Sequence, residues 1–343
     1  MRRLLNSLFV TTEDAYLALD GENVVVKHAD AEMGRFPLHM FESIISFTYA
    51  GASPALMGAC ASRGIGLSFC RPSGRFLARA CGEANGNVLL RRTQYRIADD
   101  LEKSCEIART MIFGKVHNAR WSIDRTLRDH RMRVDAERME RSGKILQSML
   151  PGIMQAASLD SLRGIEGEAA SVYFSVFDEM ILKSKEHFYF HGRNRRPPLD
   201  NVNSMLSFVY GLLRGDCASA LETAGLDSYV GFLHQDRPGR SSLALDLMEE
   251  LRTCFADRFV LTVINTGIVK GEDFDKRESG AVVLSDNGRK KILTAWQERK
   301  RETFTHPFTK EKLPWGLAPY VQAMLLARYL RGDIDGYPPL LWK

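Results

Sequence analysis

The sequence predicts an α+β protein, with an N-terminal, mainly antiparallel β domain followed by a larger all-α domain. Up to about residue 85 the chain shows short alternating segments separated by turns, whereas from about Val88 onward Leu, Arg, Glu, Ala and Met recur at helical spacing. At 343 residues the chain also exceeds the usual size of a single hydrophobic core. We therefore predict a β-rich domain over residues 1–86 and a helical domain over residues 87–343.

Four segments of the N-terminal domain have the character of strands. They cover residues 4–11, 16–27, 35–47 and 64–80. The second is broken by the turn pair Asp20-Gly21 and the fourth by Pro72-Ser73-Gly74. A helix over residues 53–62 is expected between the third and fourth segments, because Ser53 can cap it and Pro54 suits its first position. These patterns leave the order of the strands open.

Composition argues against several classes of protein. The six cysteines include no C-x-x-C pair, which speaks against a zinc knuckle or a disulfide framework and favours a reducing, cytoplasmic setting. Residues 1–10 resemble the start of a signal peptide, but Glu13 and Asp14 follow too soon, so we expect no export. The uncharged stretch over residues 43–62 contains Gly51, Pro54 and Gly58, so we expect no membrane span.

The segment R-G-I-E-G-E-A-A-S-V-Y-F, residues 163–174, predicts a helix with a carboxylate on its apolar side. With successive residues about 100° apart around the helix, Glu166 falls among apolar neighbours and Glu168 on the polar side. A buried, ionised carboxylate is costly unless it is paired, hydrogen-bonded or bound to a cation. A metal ion would meet this need. Pairing with Arg163, or the helix dipole if Glu166 stands in the first turn, would meet it too.

A second segment, residues 231–252, carries a histidine before a helix that is rich in acids. His234 precedes a Pro-Gly turn. On the helix that follows, Asp246, Glu249 and Glu250 cover an arc of about 100° beside the apolar stripe. Such an arc is also typical of a solvent-facing helix, and a lone histidine is more often structural than catalytic.

Glu166, His234 and the acidic arc together form a mixed oxygen and nitrogen ligand set, which suits Mn²⁺ or Mg²⁺ better than Zn²⁺. A divalent cation can polarise a phosphate oxygen, neutralise charge in the transition state and help to activate water or a DNA 3′-hydroxyl. The residue types do not choose between these two nucleophiles. We therefore predict metal-dependent phosphodiester chemistry in the helical domain.

Basic residues occur in groups along the chain. The net charge of +5 is too small to indicate a polyanionic partner by itself. The groups that we consider for binding double-stranded DNA are Arg193, Arg195 and Arg196, and Lys290 with Lys291. These residues could line a phosphate track, or each group could be a solvated surface.

Three segments together resemble a family of CRISPR-associated integrases that insert new spacers into CRISPR arrays, the first-numbered Cas proteins. The segments are residues 163–174, residues 231–250 and P-P-L-D-N-V-N-S-M-L-S-F-V-Y-G-L-L at residues 197–213. They follow one another in the order expected for the family. The resemblance covers nearly the whole chain, because the family also has an N-terminal β domain and a C-terminal helical domain.

The resemblance implies that Glu166, His234 and Glu249 hold the metal ion, with Asp246 as an additional catalytic acid beside them. Many members of the family carry Asp where this chain has Glu249, which leaves Asp246 and Glu250 as alternatives for the closest contact. Arg237, three residues after His234, could contact a phosphate near the site or could be a solvated turn residue.

The resemblance also implies an assembly and a reaction. It implies a homodimer formed through the β domain, and a complex in which two such dimers flank a dimer of a small, ferredoxin-like second adaptation protein. The implied reaction is attack by the 3′-hydroxyl of a short DNA duplex on a phosphodiester of the CRISPR array. A stand-alone nuclease that acts on branched DNA and a non-catalytic nucleic-acid-binding scaffold are the rival hypotheses.

Overall fold

The computed structural model describes residues 6–29, 31–71, 76–82 and 88–343. The chain divides into two compact units. The first comprises Met1–Asn85, Leu293–Glu302 and Pro314–Leu317, and the second comprises Gly86–Ile292, Thr303–Leu313 and Ala318–Lys343. The predicted domain boundary near residue 86 lies outside the described residues.

The N-terminal part of the first unit is rich in strands, as the sequence predicts. Its elements are β1 (Asn6–Val10), β2 (Tyr16–Asp20), β3 (Asn23–His28), β4 (Ala31–Pro37), β5 (Phe41–Ser46), α1 (Pro54–Ser62), β6 (Gly66–Cys70) and β7 (Phe76–Ala80). Strands β2, β3 and β4 form an antiparallel sheet in that order. A second sheet has the order β1-β5-β6-β7, in which β5 runs parallel to β1 and β6, and β7 runs antiparallel to β6.

Two local predictions for this unit have clear outcomes. The predicted continuous strand over residues 35–47 is wrong, because a 3₁₀ turn at Leu38–Met40 divides it into β4 and β5, which belong to different sheets. Pro37 stands just before that turn, and its missing N–H and fixed φ favour the interruption. The predicted cap of α1 is confirmed, since the Ser53 hydroxyl accepts a hydrogen bond from the Leu56 N–H at 3.2 Å. The predicted turn at residues 72–74 lies outside the described residues.

Alternating side chains from the two sheets build the core of this unit. Leu17 of β2, Val24 of β3 and Ile44 of β5 are fully buried, and they pack with Leu56 of α1 and Leu67 of β6. Successive residues of a strand point to opposite faces of its sheet, so one face can enter the core while the other does not. The β half is thus held together by burial of its inward-facing apolar positions.

From residue 88 onward the chain is mainly helical, as predicted. The helices are α2 (Val88–Asp99), α3 (Leu101–His130), α4 (Ala136–Met154), α5 (Leu159–Ser175), α6 (Asn201–Thr223), α7 (Ser242–Leu251), α8 (Arg258–Asn265), α9 (Asp286–Arg301) and α10 (Ala318–Arg331). Two short ribbons that the sequence analysis missed are β8 (Phe274–Lys276) with β9 (Val282–Leu284), and β10 (Thr303–Thr305) with β11 (Lys312–Pro314). Among the described residues, no helix is long and apolar enough to cross a membrane.

The long helix α3 organises the second unit. It packs against α4, α5 and α7, so residues of α5 and α7 that are distant in the sequence lie beside the same helix. A π-helical turn, Arg252–Asp257, follows α7 directly and continues into α8. Such turns are rare and occur frequently at functional sites. The carboxylates singled out in the sequence lie on α5 and α7, close to this turn.

Candidate functional site

Glu166 lies on the inward side of α5, as the helical pattern predicts. The helix begins at Leu159, and the Ser158 hydroxyl caps it by accepting a hydrogen bond from the Ser161 N–H at 3.2 Å. Glu166 therefore stands beyond the first turn, and the alternative that relied on a first-turn position and the helix dipole is wrong. Its side chain is 28% exposed, whereas Glu168 lies on the exposed side of the same helix.

The three acids of α7 do not form a solvated surface. Asp246, Glu249 and Glu250 have relative exposures of 0%, 3% and 0%. Burial of three neighbouring carboxylates is tolerable only if each has its own partners. Each of the three has a different set of partners, so the acidic arc serves three distinct roles.

Asp246 holds His234 and the loop that carries it. Its Oδ1 lies 2.5 Å from His234 Nδ1 and also accepts the backbone N–H of His234 at 3.0 Å. Its Oδ2 accepts the N–H groups of Phe232 and Leu233 at 2.6 and 2.9 Å. A partner on Nδ1 fixes the orientation of an imidazole ring, so Nε2 is the His234 nitrogen that could bind a metal ion.

Gly231 makes this close approach possible. A β-carbon at residue 231 would stand 2.8 Å from Asp246 Oδ2 and 2.8 Å from the carbonyl oxygen of His234. No side chain can be accommodated at such distances without displacing the loop. The glycine is therefore required by the packing of the His234 loop against Asp246.

Lys115 of α3 joins the carboxylates of α5 and α7. Its ammonium contacts Glu166 Oε1, and it lies 2.7 Å from Glu249 Oε2. The other oxygen of Glu249, Oε1, pairs with the Arg252 guanidinium at 2.9 Å. Lys115 is 11% exposed and Arg252 is 14% exposed, so both ion pairs are largely shielded from water. The two carboxylates thus meet around a cation supplied by the chain itself.

Glu249 is ionised in this environment. Burial opposes its ionisation, but the charges of Arg252, Lys115 and His234 outweigh burial and lower the pKa of the Glu249 carboxyl to about 2. The Lys115 ammonium, 2.7 Å from Glu249 Oε2, is the cation that this oxygen faces. An ionised, buried carboxylate oxygen that already faces a cation is suited to binding a metal ion.

Glu250, the next residue, points away from this site. Gln322 Nε2 donates to its Oε2 at 3.0 Å, the Leu340 N–H donates at 2.5 Å, and the Tyr337 hydroxyl donates to Oε1. Burial raises the pKa of Glu250 to about 7, against the opposing effect of these hydrogen bonds. Glu250 therefore anchors the C-terminal segment and is not an alternative to Glu249 in the site.

A cavity opens in front of Glu166, His234 and Glu249. Its walls carry five arginines, namely Arg163, Arg195, Arg237, Arg240 and Arg252. A cavity that combines carboxylates on one side with arginines on the others can accommodate a phosphate group beside a bound cation. The arrangement supports phosphodiester chemistry.

The other basic residues considered for DNA binding differ in their surroundings. Arg193 donates hydrogen bonds to Asn203 Oδ1 at 2.6 Å and to Ser207 Oγ at 3.1 Å, so its guanidinium is committed to the protein. Lys291 pairs with buried Asp273 at 2.8 Å. Arg196 and Lys290 are exposed and do not line the cavity in front of Glu166.

In the part of the chain that the structure describes, no group of three or more His, Cys, Asp or Glu side chains is arranged closely enough to hold a metal ion. The Lys115 ammonium lies between Glu166 and Glu249, and the Asp246 oxygens are taken up by the His234 loop. The donor chemistry nevertheless fits a divalent ion, because two carboxylates already face one cation and Asp246 orients the His234 ring beside them.

Lys115 and Arg252 were not predicted from the sequence as residues of the site. Lys115 follows buried Met111 by four residues and precedes buried Ala119 by four, so a helical projection of α3 would have placed this lysine on the buried face. Arg252 had no comparable signal, because the π-helical turn shifts the positions that follow α7 relative to a regular helix.

Comparison with protein families gives a match over most of the chain. The family model described as CRISPR associated protein Cas1 matches residues 8–298. A CRISPR-associated endonuclease Cas1 from Chlorobaculum tepidum is 49% identical over 343 residues, which is 100% of each chain. Another from Rhodospirillum rubrum is 49% identical over 350 aligned residues, again covering 100% of both chains.

Solved structures share the fold at lower sequence identity. A casposase bound to its integration product has a TM-score of 0.83 with 22% identity, covering 98% of this chain and 94% of its own. A Cas1 protein from Thermotoga maritima has a TM-score of 0.79 with 22% identity, covering 95% of this chain and 97% of its own. A Cas6-RT-Cas1–Cas2 complex also has a TM-score of 0.79, with 23% identity, covering 98% of this chain and 36% of its own.

Proposed function

Because this chain belongs to the CRISPR associated protein Cas1 family, we propose that it is a metal-dependent DNA endonuclease and integrase that inserts short DNA duplexes into a CRISPR array. The observation that carries the proposal is the meeting of Glu166, His234 and Glu249 at one arginine-lined cavity. Structures of the same fold include a casposase bound to an integration product, which supports strand transfer as the reaction.

Enzymes of this family depend on a divalent metal ion, and we propose Mn²⁺ or Mg²⁺ for this chain. Glu166, His234 and Glu249 would hold the ion through carboxylate oxygens and the His234 Nε2 atom. When bound, the ion polarises a phosphate oxygen and offsets the charge that develops in the transition state. Asp246 acts through His234, because it fixes the ring by its contact with Nδ1.

The arginines position the nucleic acid. Arg237 and Arg195 are exposed at the cavity and can contact non-bridging phosphate oxygens, whereas the Arg252 guanidinium holds Glu249 Oε1. In strand transfer, the 3′-oxygen of the incoming duplex forms a bond to phosphorus and the 3′-oxygen of the array strand leaves. Hydrolysis follows the same course with water as the nucleophile.

A joining assay tests this proposal. The protein and its small partner are incubated with a labelled duplex and a supercoiled plasmid that carries a CRISPR repeat, with Mn²⁺ or with a chelator. We expect joining only with metal, and we expect Glu166→Ala to abolish it. Glu168→Ala is the matched control, because Glu168 lies on the exposed side of the same helix and should retain activity.

The other outcomes separate the rival functions. Joining that persists in chelator would contradict a metal-dependent mechanism. Cleavage of branched DNA without joining would favour the stand-alone nuclease. DNA binding that needs no metal and is unaffected by Glu166→Ala, together with no cleavage or joining, would favour a scaffold.

We also propose that the chain forms a homodimer through residues 1–86 and that two dimers flank a dimer of the small second adaptation protein. A Cas1–Cas2 complex among the structures of this fold supports a partner of the Cas2 type. The edge strand β4 supports a dimer, because Met33 is 55% exposed and Phe36 is 37% exposed. Light scattering should give the mass of a dimer for the chain alone and of a 4:2 assembly with the partner.

A further inference from the structure

We infer that the Lys115 ammonium and the metal ion are alternative occupants of the space between Glu166 and Glu249, and that metal binding moves the ammonium toward Thr253 and Asp257. The inference rests on the proposed function, since it assumes that these two carboxylates bind the metal ion. It assigns to Lys115 the role of a displaceable cation that keeps the carboxylates together before the metal arrives.

The contacts of Lys115 leave no room for a second cation at the same place. The ammonium contacts Glu166 Oε1 and lies 2.7 Å from Glu249 Oε2. A divalent ion bound to both carboxylates would stand about 2.0–2.6 Å from their oxygens, in the volume that the ammonium fills. Two cations so close together repel strongly in a site shielded from water, so one of them must leave.

The charges of the site also indicate that the metal ion and the Lys115 ammonium do not both stay between the two carboxylates. Glu166 and Glu249 carry two negative charges, and Lys115 with Arg252 already neutralises them. Arg252 is held in place, because its guanidinium lies 5.1 Å from the centroid of the Tyr210 ring and pairs with Glu249. Lys115 has a flexible four-carbon stem, so it is the cation that can move.

A second cavity beside Lys115 offers a place for the displaced ammonium. Lys115, Glu166, Thr253 and Asp257 are among the residues that line it. Tyr210 donates a 2.6 Å hydrogen bond to Asp257 Oδ1, and the Tyr173 hydroxyl also interacts with this carboxylate. Among the described residues, no hydrogen bond of regular geometry reaches Asp257 Oδ2 or Thr253 Oγ1, although both atoms are buried.

An ammonium can donate three hydrogen bonds, and Asp257 Oδ2 and Thr253 Oγ1 are oxygens that could accept them. The second cavity therefore has the polar atoms that Lys115 would need after leaving the two carboxylates. Lys115 itself lines this second cavity together with Thr253 and Asp257 of the π-helical turn, so the proposed second position is beside the first.

Titration with Mn²⁺ tests the inference without relying on activity. Free Mn²⁺ is measured by its electron paramagnetic resonance signal for the parent and for Lys115→Met. We expect Lys115→Met to bind Mn²⁺ about 30-fold more tightly, which corresponds to the repulsion between a unit charge and a divalent charge about 4 Å apart with water-like screening. Weaker or unchanged binding in this variant would overturn the inference, because a purely structural lysine cannot compete with the ion.

Two sets of variants complete the experiment. Lys103→Met removes an exposed lysine from the same helix and should leave Mn²⁺ affinity unchanged, which controls for net charge. Thr253→Val should weaken Mn²⁺ binding in the parent but not in the Lys115→Met background. An equal loss in both backgrounds would overturn the proposed second position of the ammonium.

Glu166→Ala separates this inference from the proposed function. If Glu166→Ala does not weaken Mn²⁺ binding, the metal site itself is wrong. If Glu166→Ala weakens binding while Lys115→Met fails to strengthen it, the displaceable role of Lys115 alone is wrong. A crystal structure with Mn²⁺ bound would also decide, since an ammonium still paired with both carboxylates would contradict the exchange.

Discussion

Glu249 and Glu250 are adjacent in helix α7, but they face opposite sides of it and have different kinds of partner. On the cavity side, Glu249 faces Lys115, Glu166 and an arginine-lined cavity, and its Oε2 lies 2.7 Å from the Lys115 ammonium. On the other side, which faces the C-terminal segment and is called the tail side below, Glu250 accepts hydrogen bonds from Gln322, Tyr337 and the Leu340 N–H. Both carboxylates are almost completely buried.

The difference shows why burial by itself does not identify a catalytic acid. Charges hold Glu249 ionised, with its pKa lowered to about 2, so the carboxylate can exchange one cation for another. Hydrogen bonds hold Glu250, and burial raises its pKa to about 7, so its role is to fasten the C-terminal segment. The two carboxylates differ in their partners: cations surround the functional Glu249, whereas hydrogen-bond donors surround the structural Glu250.

The largest effect should come from Glu249→Gln. The amide keeps the shape of the side chain but lacks the negative charge, so we expect joining activity to fall by more than about 100-fold, beyond the loss typical for a residue outside the ligand set. The melting temperature should also fall, because the Lys115 ammonium and the Arg252 guanidinium lose a buried anionic partner. A joining assay and a thermal unfolding curve measure the two quantities. Near-normal joining activity would contradict the assignment of Glu249 as the functional carboxylate of α7.

Glu250→Ala should destabilise the fold. Gln322, Tyr337 and the Leu340 N–H would lose a buried acceptor, which should lower the free energy of unfolding by about 3 kcal/mol. Denaturant titration measures this loss. Glu250→Gln is the matched control, because it retains an acceptor and should be less destabilised. If Glu250→Ala instead kept its stability and lost metal binding, the tail side would have been assigned wrongly.

Asp246→Asn tests whether Asp246 supports metal binding by orienting His234. The amide has one acceptor oxygen, so it loses either the contacts with His234 or the hydrogen bonds from the Phe232 and Leu233 N–H groups, and Mn²⁺ affinity should fall by about 10–100-fold. Calorimetric titration with Mn²⁺ checks this value. Unchanged affinity together with full joining activity would mean that Asp246 only shapes the loop.

The smallest expected effect is a change in the pH dependence of stability at His306, which contacts Gln322 on the tail side. His306 is buried, its Nε2 contacts Gln322 Oε1 at 2.9 Å, and burial lowers its pKa from 6.5. At His306 the folded state therefore binds fewer protons than the unfolded state, so the contribution of this residue to stability should fall as the pH drops below about 6.5. His306→Asn should make this fall shallower in unfolding curves from pH 7.5 to 5. Parallel curves for both proteins would exclude His306 as a source of acid sensitivity.

The fold and much of the candidate site could be predicted from the sequence because they follow from local patterns. The Asp20-Gly21 turn pair marked the break between β2 and β3, and helical spacing placed Glu166 inward and Glu168 outward. Strand order depended on contacts between distant segments. The division of residues 35–47 into two sheets was missed, although Pro37 marks the interruption.

The sequence by itself determined the α+β organisation, the inward carboxylate of α5 and the kinds of residue available for metal binding. Tertiary structure decided how the three acids of α7 are used: Asp246 for the His234 loop, Glu249 for the cavity and Glu250 for the C-terminal segment. It also brought Lys115 between two carboxylates. The physical reason is that a helical pattern fixes which way a side chain faces, whereas its partners come from segments that only folding brings together.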